Sequence, residues 1–299
     1  MKLPANNIID NHITVIGDPS YPCWVIKGTR KNLMIDAGLN LLGPLYINSL
    51  NAILGNKDFL NYLFLTHSHY DHLGAASFLK KIIPALVIGA HERVEQLLRK
   101  EAALALMNRL SDSESVRFAG HAGQENVRIS PLSVDLLFRE GDEIELGGLT
   151  CRVYEVPGHT RDSLAYFIPE TGALFTGEAA GVPQINDEPQ VEFLASYEDY
   201  LASLEKMLSL HPRILCVAHG GYFTGADAMD FLRRSHDATQ PYRRLIESSL
   251  DKADGNIKQA VSQIVSSEYD TKGTITQERS AYITNLTAQV SHIAELRQK

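Results

Sequence analysis

Four potential metal ligands fall within six consecutive residues of this chain, and they are His67, His69, Asp71 and His72. They follow an apolar run, residues 62–65, that predicts a buried strand. They precede residues 73–81, whose apolar spacing predicts a helix. A strand end followed by a helix start can turn several side chains toward one point. Imidazole and carboxylate groups together suit zinc, iron or manganese. The cluster therefore predicts a metal site.

Three later strand ends carry further ligand types, and these are His159, Glu178 and His219. In each case apolar strand residues come before the ligand, and a glycine stands next to it. Glycine at such a place lets the backbone pass close to a crowded centre. Four strand ends of this kind in one chain predict a single site assembled from both halves of the sequence.

The surrounding pattern predicts two strand-rich halves with helices between them. Predicted strands lie at 13–16, 23–26, 32–35, 62–66, 86–89, 136–138, 143–146, 150–156, 164–168, 173–176 and 214–218. Predicted helices lie at 44–54, 73–83, 92–110 and 197–210, the last with a cap at its start. Residues 111–130, rich in serine, glycine and charge, predict a surface connection or lid. This order favours two sheets packed face to face with helices outside.

The pattern changes near residue 225. Residues 226–250, 256–268 and 276–297 all predict helices, with no convincing strand between them. We therefore expect a catalytic domain at 1–225 and a helical C-terminal extension at 226–299. The extension is open to three interpretations, namely a cap over the site, an element forming a homodimer, or a plain packing extension.

Composition narrows the classes of function. The 299 residues carry a net charge of −8, which argues against nucleic-acid or anionic-membrane partners and leaves a small-molecule substrate. Three scattered cysteines (Cys23, Cys151 and Cys216) lack metal or redox spacing and predict buried thiols in a reducing compartment. The first residues turn polar too early for a secretory signal, and no apolar run reaches the roughly 20 residues that span a bilayer. We expect a cytoplasmic protein.

These motifs resemble those of the metallo-β-lactamase-fold hydrolases. The run 67–72 matches the family's H-x-H-x-D-H motif, His159 matches its G-H-[ST] histidine, and His219 matches its last histidine. The resemblance covers roughly residues 10–225 and implies an αββα sandwich with the site at the sheet edge. It implies that His67, His69 and His159 hold one divalent metal, and that Asp71, His72 and His219 hold a second.

Glu178 departs from the family's pattern, which usually places aspartate between the two metals. Glutamate can also bridge, provided that the backbone sits back to accommodate its extra methylene; the alternatives are ligation of one metal or a bond to a water. The resemblance favours zinc or iron, with manganese also compatible. Two such cations activate a water that attacks an acyl or phosphoryl centre. Asp71 and His72 are predicted to contribute to catalysis as well as ligation.

Among the family's branches, the chain is most similar to two thioesterases, glyoxalase II and the quinolone-signal-response (aminobenzoylacetyl-CoA) thioesterase. Thioester hydrolysis is the predicted reaction, and lactone or phosphodiester hydrolysis is the alternative. A metal-bearing regulatory or binding protein with weak hydrolase activity is a third interpretation. Tyr70 and Tyr222 are weaker candidates for substrate contact. Asp162 and Ser163 are predicted either to orient a ligand imidazole or to stabilise their own turn.

Overall fold

The computed structural model describes residues 7–123 and 125–298, so the polar N-terminal segment discussed above lies almost entirely outside them. Fifteen strands occur in this part of the chain. In the first half they are β1 Asn7–Ile8, β2 Ile13–Asp18, β3 Tyr21–Lys27, β4 Asn32–Ile35, β5 Leu60–Phe64, β6 Val87–His91 and β7 Leu136–Phe138. In the second half they are β8 Glu143–Glu145, β9 Thr150–Glu155, β10 Leu164–Ile168, β11 Ala173–Phe175, β12 Val182–Pro183, β13 Pro189–Gln190, β14 Ile214–Val217 and β15 Gly221–Thr224.

Ten α-helices accompany these strands in the described residues. They are α1 Gly43–Leu54, α2 Tyr70–Leu73, α3 Ala76–Ile82, α4 Glu92–Leu98, α5 Glu101–Ser113, α6 Ser115–Ala122, α7 Tyr197–Ser209, α8 Ala226–Lys252, α9 Ile257–Ile264 and α10 Arg279–Leu296. A π-helical stretch, Val265–Thr271, continues α9. The predicted cap of α7 is confirmed, because the Ser196 side chain accepts a hydrogen bond from the Asp199 amide. Within the described ranges, no helix combines the length and apolarity needed to span a bilayer.

Thirteen of these strands form two sheets that pack face to face, as predicted, and β12 and β13 pair separately. One sheet has the order β1-β2-β3-β4-β5-β6-β7 and the other the order β15-β14-β11-β10-β9-β8. Side chains from both sheets, such as Trp24 and Phe64 from one and Tyr166 and Phe175 from the other, form the core between them. Helices in the first half pack on the outer face of the first sheet, and α7 to α10 pack on the outer face of the second. The αββα sandwich is therefore confirmed.

Strand direction brings the predicted ligands to one edge of the sandwich. In the first sheet, β4 and β5 are parallel, so residues 36 and 67 follow neighbouring strand ends. In the second, β9 and β11 both run antiparallel to β10, and β14 runs parallel to β11. The segments after β9, β11 and β14 consequently meet at the same edge. The Leu164 amide donates to the Thr66 carbonyl at 2.7 Å and fixes the two sheets together beside that edge.

The predicted helix 92–110 is wrong as a single element, because the chain breaks between α4 and α5 at Lys100, whose backbone is extended. The buried residues explain the break. Val94 and Leu98 are four apart and share one face, whereas Leu104 follows Leu98 by six positions, which the 3.6-residue period places on a different face. Because α4 ends and α5 starts as a separate helix, the apolar residues of both helices are buried.

The predicted surface connection 111–130 contains a helix, α6. Phe118 on this helix is buried and packs edge-to-face against Tyr21, with ring centroids 5.6 Å apart. Serine, glycine and charged residues dominate the segment, so the buried apolar positions Phe118 and Ala122 were too few to indicate a helix by pattern. Contact with Tyr21 stabilises it instead.

The C-terminal helices share their core with the second sheet. Val156 and Val217, next to predicted ligands, belong to the same buried cluster as Leu250, Leu286 and Ile293. This packing makes the helices a structural part of the sandwich's outer layer. The domain boundary at 225 and a homodimer formed through the helices both stay predictions.

Candidate metal centre

The structure brings all seven predicted ligands together in two groups. The ligand atoms within each group lie within 4.8 Å of one another. One group consists of His67, His69, His159 and Glu178, and the other of Asp71, His72 and His219. Each residue stands just beyond a strand end, as the sequence predicts, and the assignment of residues to the two groups matches the one that the family resemblance implies.

Glu178 lies between the two groups. Its Oε2 atom is 2.6 Å from His159 Nε2 and 3.4 Å from His67 Nε2, both in the first group. Its Oε1 atom is 3.4 Å from His219 Nε2 in the second. Oε2 also lies 3.9 Å from His72 Nε2 of the second group, so the carboxylate is within reach of both groups, which a bridging carboxylate requires.

In four of the histidines, the ring nitrogen Nδ1 lies next to an oxygen atom. His72 Nδ1 lies 2.8 Å from Asp36 Oδ2, and His159 Nδ1 lies 2.7 Å from the Glu192 carbonyl. His67 and His219 make the equivalent contacts to the Thr66 hydroxyl at 3.0 Å and the Ser20 carbonyl at 2.5 Å. A carbonyl or carboxylate at Nδ1 holds a proton there, and the Thr66 hydroxyl, which donates its own proton to Asp36, accepts from His67 Nδ1 in the same way. The Nε2 atoms of all four histidines therefore face the centre as candidate ligand atoms.

Two buried nitrogen atoms indicate whether the seven candidate ligands suit a metal. His67 Nε2 and His72 Nε2 are buried and find no hydrogen-bond partner among the described residues. Unpartnered buried polar atoms are uncommon and call for an explanation. Lone pairs from imidazoles, converging on a buried carboxylate, are the donor set that Zn²⁺ and related divalent cations take. The residues present fit the metals that the fold family implies.

The charges inside the cluster also suit cation binding. Burial by itself would raise the pKa of Glu178, but the neighbouring histidines, His159 first, hold it well below the usual range. Burial, reinforced by His72, lowers the pKa of His67 well below its usual value. Burial would likewise lower the pKa of His219, but Glu178 and Asp71 raise it to about 10. An ionised Glu178 and a neutral His67 are the forms that bind a cation, whereas a cation at His219 must displace a proton.

Asp36 is an important residue that the sequence analysis missed. It is buried, follows β4 with a left-handed backbone (φ 61°), and accepts hydrogen bonds from the Thr66 amide and hydroxyl as well as facing His72. Backbone conformations of this kind persist where the surrounding contacts enforce them. An acidic residue at a strand end, two positions before Gly38, was the signal that could have identified it.

Glu192 is a second residue that was missed. Its carbonyl accepts the His159 contact described above, while its carboxyl group is buried among Gln190 and Asn285. Burial first, and then the nearby charge of Glu178, raise the pKa of Glu192 to about 8. No pattern around residue 192 suggests a role, because its partners His159 and Asn285 lie 33 and 93 residues away.

The weaker candidates differ in position. Tyr70 lies between ligands His69 and Asp71, and burial together with the Asp71 charge raises its pKa, so its hydroxyl stays neutral. Tyr222 instead packs edge-to-face on Trp24 in the core between the sheets, where its hydroxyl accepts from Asn7.

Asp162 and Ser163 contact the Thr160 hydroxyl at 2.5 and 2.7 Å. Of the two roles predicted for them, these contacts support stabilisation of the turn after His159.

Gly158 positions His159 and provides a direct test of the packing. Its φ is +131°, and an added Cβ would lie 2.3 Å from the Tyr200 Cα atom on α7. We expect Gly158→Ala to lower the free energy of unfolding by about 3 kcal/mol, since the backbone must shift away from α7. Gly148→Ala is the matched control, because Gly148 also has a positive φ (+78°) but open space around it. Urea unfolding of both variants measures the difference, and equal losses would contradict the close contact.

The family model of the metallo-β-lactamase superfamily matches residues 16–219 of this chain. The chain belongs to the metallo-β-lactamase superfamily. This confirms the resemblance inferred from the histidine motifs. A solved structure of the same superfamily, a metallo-β-lactamase family protein from Thermus thermophilus, superposes with a TM-score of 0.64 at 20% identity, covering 98% of this chain and 91% of that one. At this identity the likeness supports the fold.

Three curated proteins are similar to this chain in sequence. The metallo-β-lactamase fold-containing protein ST1585 of Sulfurisphaera tokodaii is 29% identical over 66% of this chain and 72% of its own length. The acyl-coenzyme A thioesterase MBLAC2 of Gallus gallus is 26% identical over 64% of this chain and 67% of its own length. A hydroxyacylglutathione hydrolase of Rhodopseudomonas palustris is 31% identical over 40% of this chain and only 33% of its own length.

Proposed function

We propose that this protein is a thioesterase that hydrolyses acyl thioesters at a dinuclear metal centre. The observation that carries the proposal is the position of Glu178, whose carboxylate lies between the two ligand groups and contacts histidines of both. His67, His69 and His159 would hold one divalent cation, Asp71, His72 and His219 the second, and Glu178 both. Zinc and iron suit this mixture of imidazoles and carboxylates, and manganese is compatible with it. Cations held there would supply a nucleophile by acidifying water, and positive charge for the developing oxyanion.

Asp71 and His72 differ in the roles that their positions allow. Asp71 Oδ2 lies 3.5 Å from His219 Nε2, and its side chain keeps 16% of its surface exposed, so it can orient an attacking water and accept its proton. His72 has its Nδ1 committed to Asp36 and is buried. We therefore assign proton transfer to Asp71 and ligation to His72.

The leaving group favours a thioester over other acyl substrates. A thiol has a pKa of about 8.5, so it can depart as a thiolate without a proton from the enzyme. One proton acceptor, Asp71, then suffices for the chemistry. Of the relatives named above, one is an acyl-coenzyme A thioesterase and another is a hydroxyacylglutathione hydrolase, whose acylated glutathione is also a thioester, and this supports the same class.

The purified protein is expected to release thiol from acyl-CoA or S-acylglutathione substrates, measured with a chromogenic thiol reagent. His69→Ala should lower kcat/KM by about 100-fold or more, because it removes a ligand from the first group. His236→Ala is the control, since His236 lies on α8 and pairs with Glu205 and Asp237 away from the centre.

The same panel includes a lactone and an aryl phosphodiester. If the lactone or the phosphodiester is turned over faster than the thioesters, that compound class becomes the proposed substrate. Equal residual activity in the wild type and His69→Ala would contradict an enzymatic function and would favour a regulatory or binding role.

A further inference from the structure

One segment of irregular chain, residues 191–196, encloses the His159 turn. The Glu192 carbonyl faces His159 Nδ1 at 2.7 Å. The amides of residues 194, 195 and 196 all donate to the Gly158 carbonyl, at 2.9 to 3.2 Å. This segment follows the two-residue strand β13 and belongs to neither large sheet. Its position must therefore come from other contacts.

The Tyr200 hydroxyl on α7 accepts from the Glu192 amide at 3.4 Å, and helix α10 supplies further contacts through polar side chains. Gln289 donates from Nε2 to the Val191 carbonyl at 2.7 Å, and its Oε1 accepts from the Tyr242 hydroxyl at 2.9 Å. Asn285, one turn earlier, donates to the Glu192 carboxyl group at 3.3 Å. The His292 ring accepts from the Tyr197 amide at the start of α7. Residues 285, 289 and 292 lie on one helical face, which is directed at the segment.

Gln289 is notable because it is only 2% exposed and is almost as buried as its apolar neighbours Leu286, Val290 and Ile293 on the same helix. A buried amide is unfavourable unless its hydrogen bonds are satisfied, and an apolar residue of similar volume would pack there without that requirement. Both ends of the Gln289 amide are satisfied, one by the 191–196 segment and the other by α8. The side chain thus connects two helices to the chain that orients His159.

We propose that Asn285 and Gln289 are positioning residues that hold His159 in its ligand orientation through the Val191–Glu192 backbone. We call this pair the α10 brace. The path runs from α10 to the Val191 carbonyl and Glu192 carboxyl group, then from the Glu192 carbonyl to His159 Nδ1. The C-terminal helices thereby act on the first ligand group and leave the second group, which contacts Asp36 and Ser20, untouched. The effect on metal binding rests on the proposed function, whereas the effect on the His159 proton does not.

The full-length chain with ¹⁵N-labelled histidine gives a direct readout, the exchange of the His159 Nδ1 proton with water, assigned by its loss in His159→Gln. Gln289→Met keeps the volume and removes both hydrogen bonds. We expect it to speed this exchange on the order of tenfold without added metal. Thr287→Ala is the matched control, because Thr287 is exposed on the same helix and bonds only within it, to the Ile283 carbonyl.

Zinc titration against a chromophoric chelator then separates the two groups. The step lost in His69→Ala identifies the first group. Gln289→Met should weaken that step about tenfold, in line with other residues that orient a ligand, and change the other step by less than about twofold. Asn285→Ala should change the proton exchange and the first zinc step in the same direction, with a smaller effect. If Gln289→Met does not fold, Asn285→Ala tests the proposal by the same two measurements.

Wild-type proton exchange in a folded Gln289→Met protein, or equal weakening of both zinc steps, would overturn the proposed positioning. Faster exchange in a chain whose wild type binds no zinc would overturn the proposed function and retain the α10 brace.

Discussion

Glu178→Gln is expected to reduce bound metal from two ions per chain to one and to lower thioester kcat/KM by about 1,000-fold, or about 4 kcal/mol of transition-state stabilisation. The substitution keeps the size of the side chain and removes its charge. In the folded protein this carboxylate faces both ligand groups, with His159 at 2.6 Å on one side and His219 at 3.4 Å on the other. A neutral amide cannot offer an anionic oxygen to each group.

Metal content by mass spectrometry and steady-state kinetics measure this effect. Glu205→Gln is the control, since Glu205 is exposed on α7 beside His236. Glu178→Asp keeps the charge but draws the carboxylate back by about 1.5 Å, one carbon–carbon bond. We expect it to keep more metal than Glu178→Gln and to lose about tenfold in rate. Two tightly bound metals and a wild-type rate in Glu178→Gln would contradict the bridging role.

Asp36→Ala has the second large expected effect, a loss of about 4 kcal/mol in the free energy of unfolding. The substitution leaves the buried Thr66 amide and His72 Nδ1 without their acceptor. It also places alanine at φ 61°, a conformation that aspartate tolerates better. Because Asp36 orients His72, zinc affinity of the second group should fall by about 10- to 100-fold.

Asp254→Ala isolates the backbone contribution. Asp254 has a similar left-handed backbone (φ 51°) but is exposed, so its replacement should cost about 1 kcal/mol. Urea unfolding of the protein without added metal gives both values, and chelator competition gives the zinc affinities. If Asp36→Ala were no more destabilising than Asp254→Ala, the hydrogen bonds of Asp36 to Thr66 and His72 would not stabilise the fold.

Several features of the fold followed from local sequence. The apolar runs before His67, Glu178 and His219 predicted strands because alternation and turn residues report strands over short stretches. The α7 start followed from Ser196, whose capping bond spans three residues. Elements that depend on distant partners did not follow. Helix α6 forms against Tyr21, nearly a hundred residues away, and the break at Lys100 reflects which face of each helix is buried.

The residues that contact the histidine Nδ1 atoms differ in the same way, since some are close to their histidine in the chain and others are distant. Thr66 is next to His67 in the chain, whereas Asp36 is 36 residues from His72 and Glu192 is 33 from His159. Glu192 acts there through a backbone carbonyl, which every residue possesses, so its side-chain type carries no information about the contact. Only the folded chain identifies such a partner.

The sequence by itself determined the seven candidate ligands, their strand-end context and the family, because donor chemistry and short motifs are local properties. The tertiary structure alone decided that the Glu178 carboxylate lies between the two groups and that Asp36 and the Glu192 carbonyl contact the histidines that they orient. Those distances depend on how two sheets, joined at Leu164 and Thr66, bring residues 67 to 72 against residues 159, 178 and 219. The physical reason is that packing between remote segments, rather than residue type, sets the geometry of the centre.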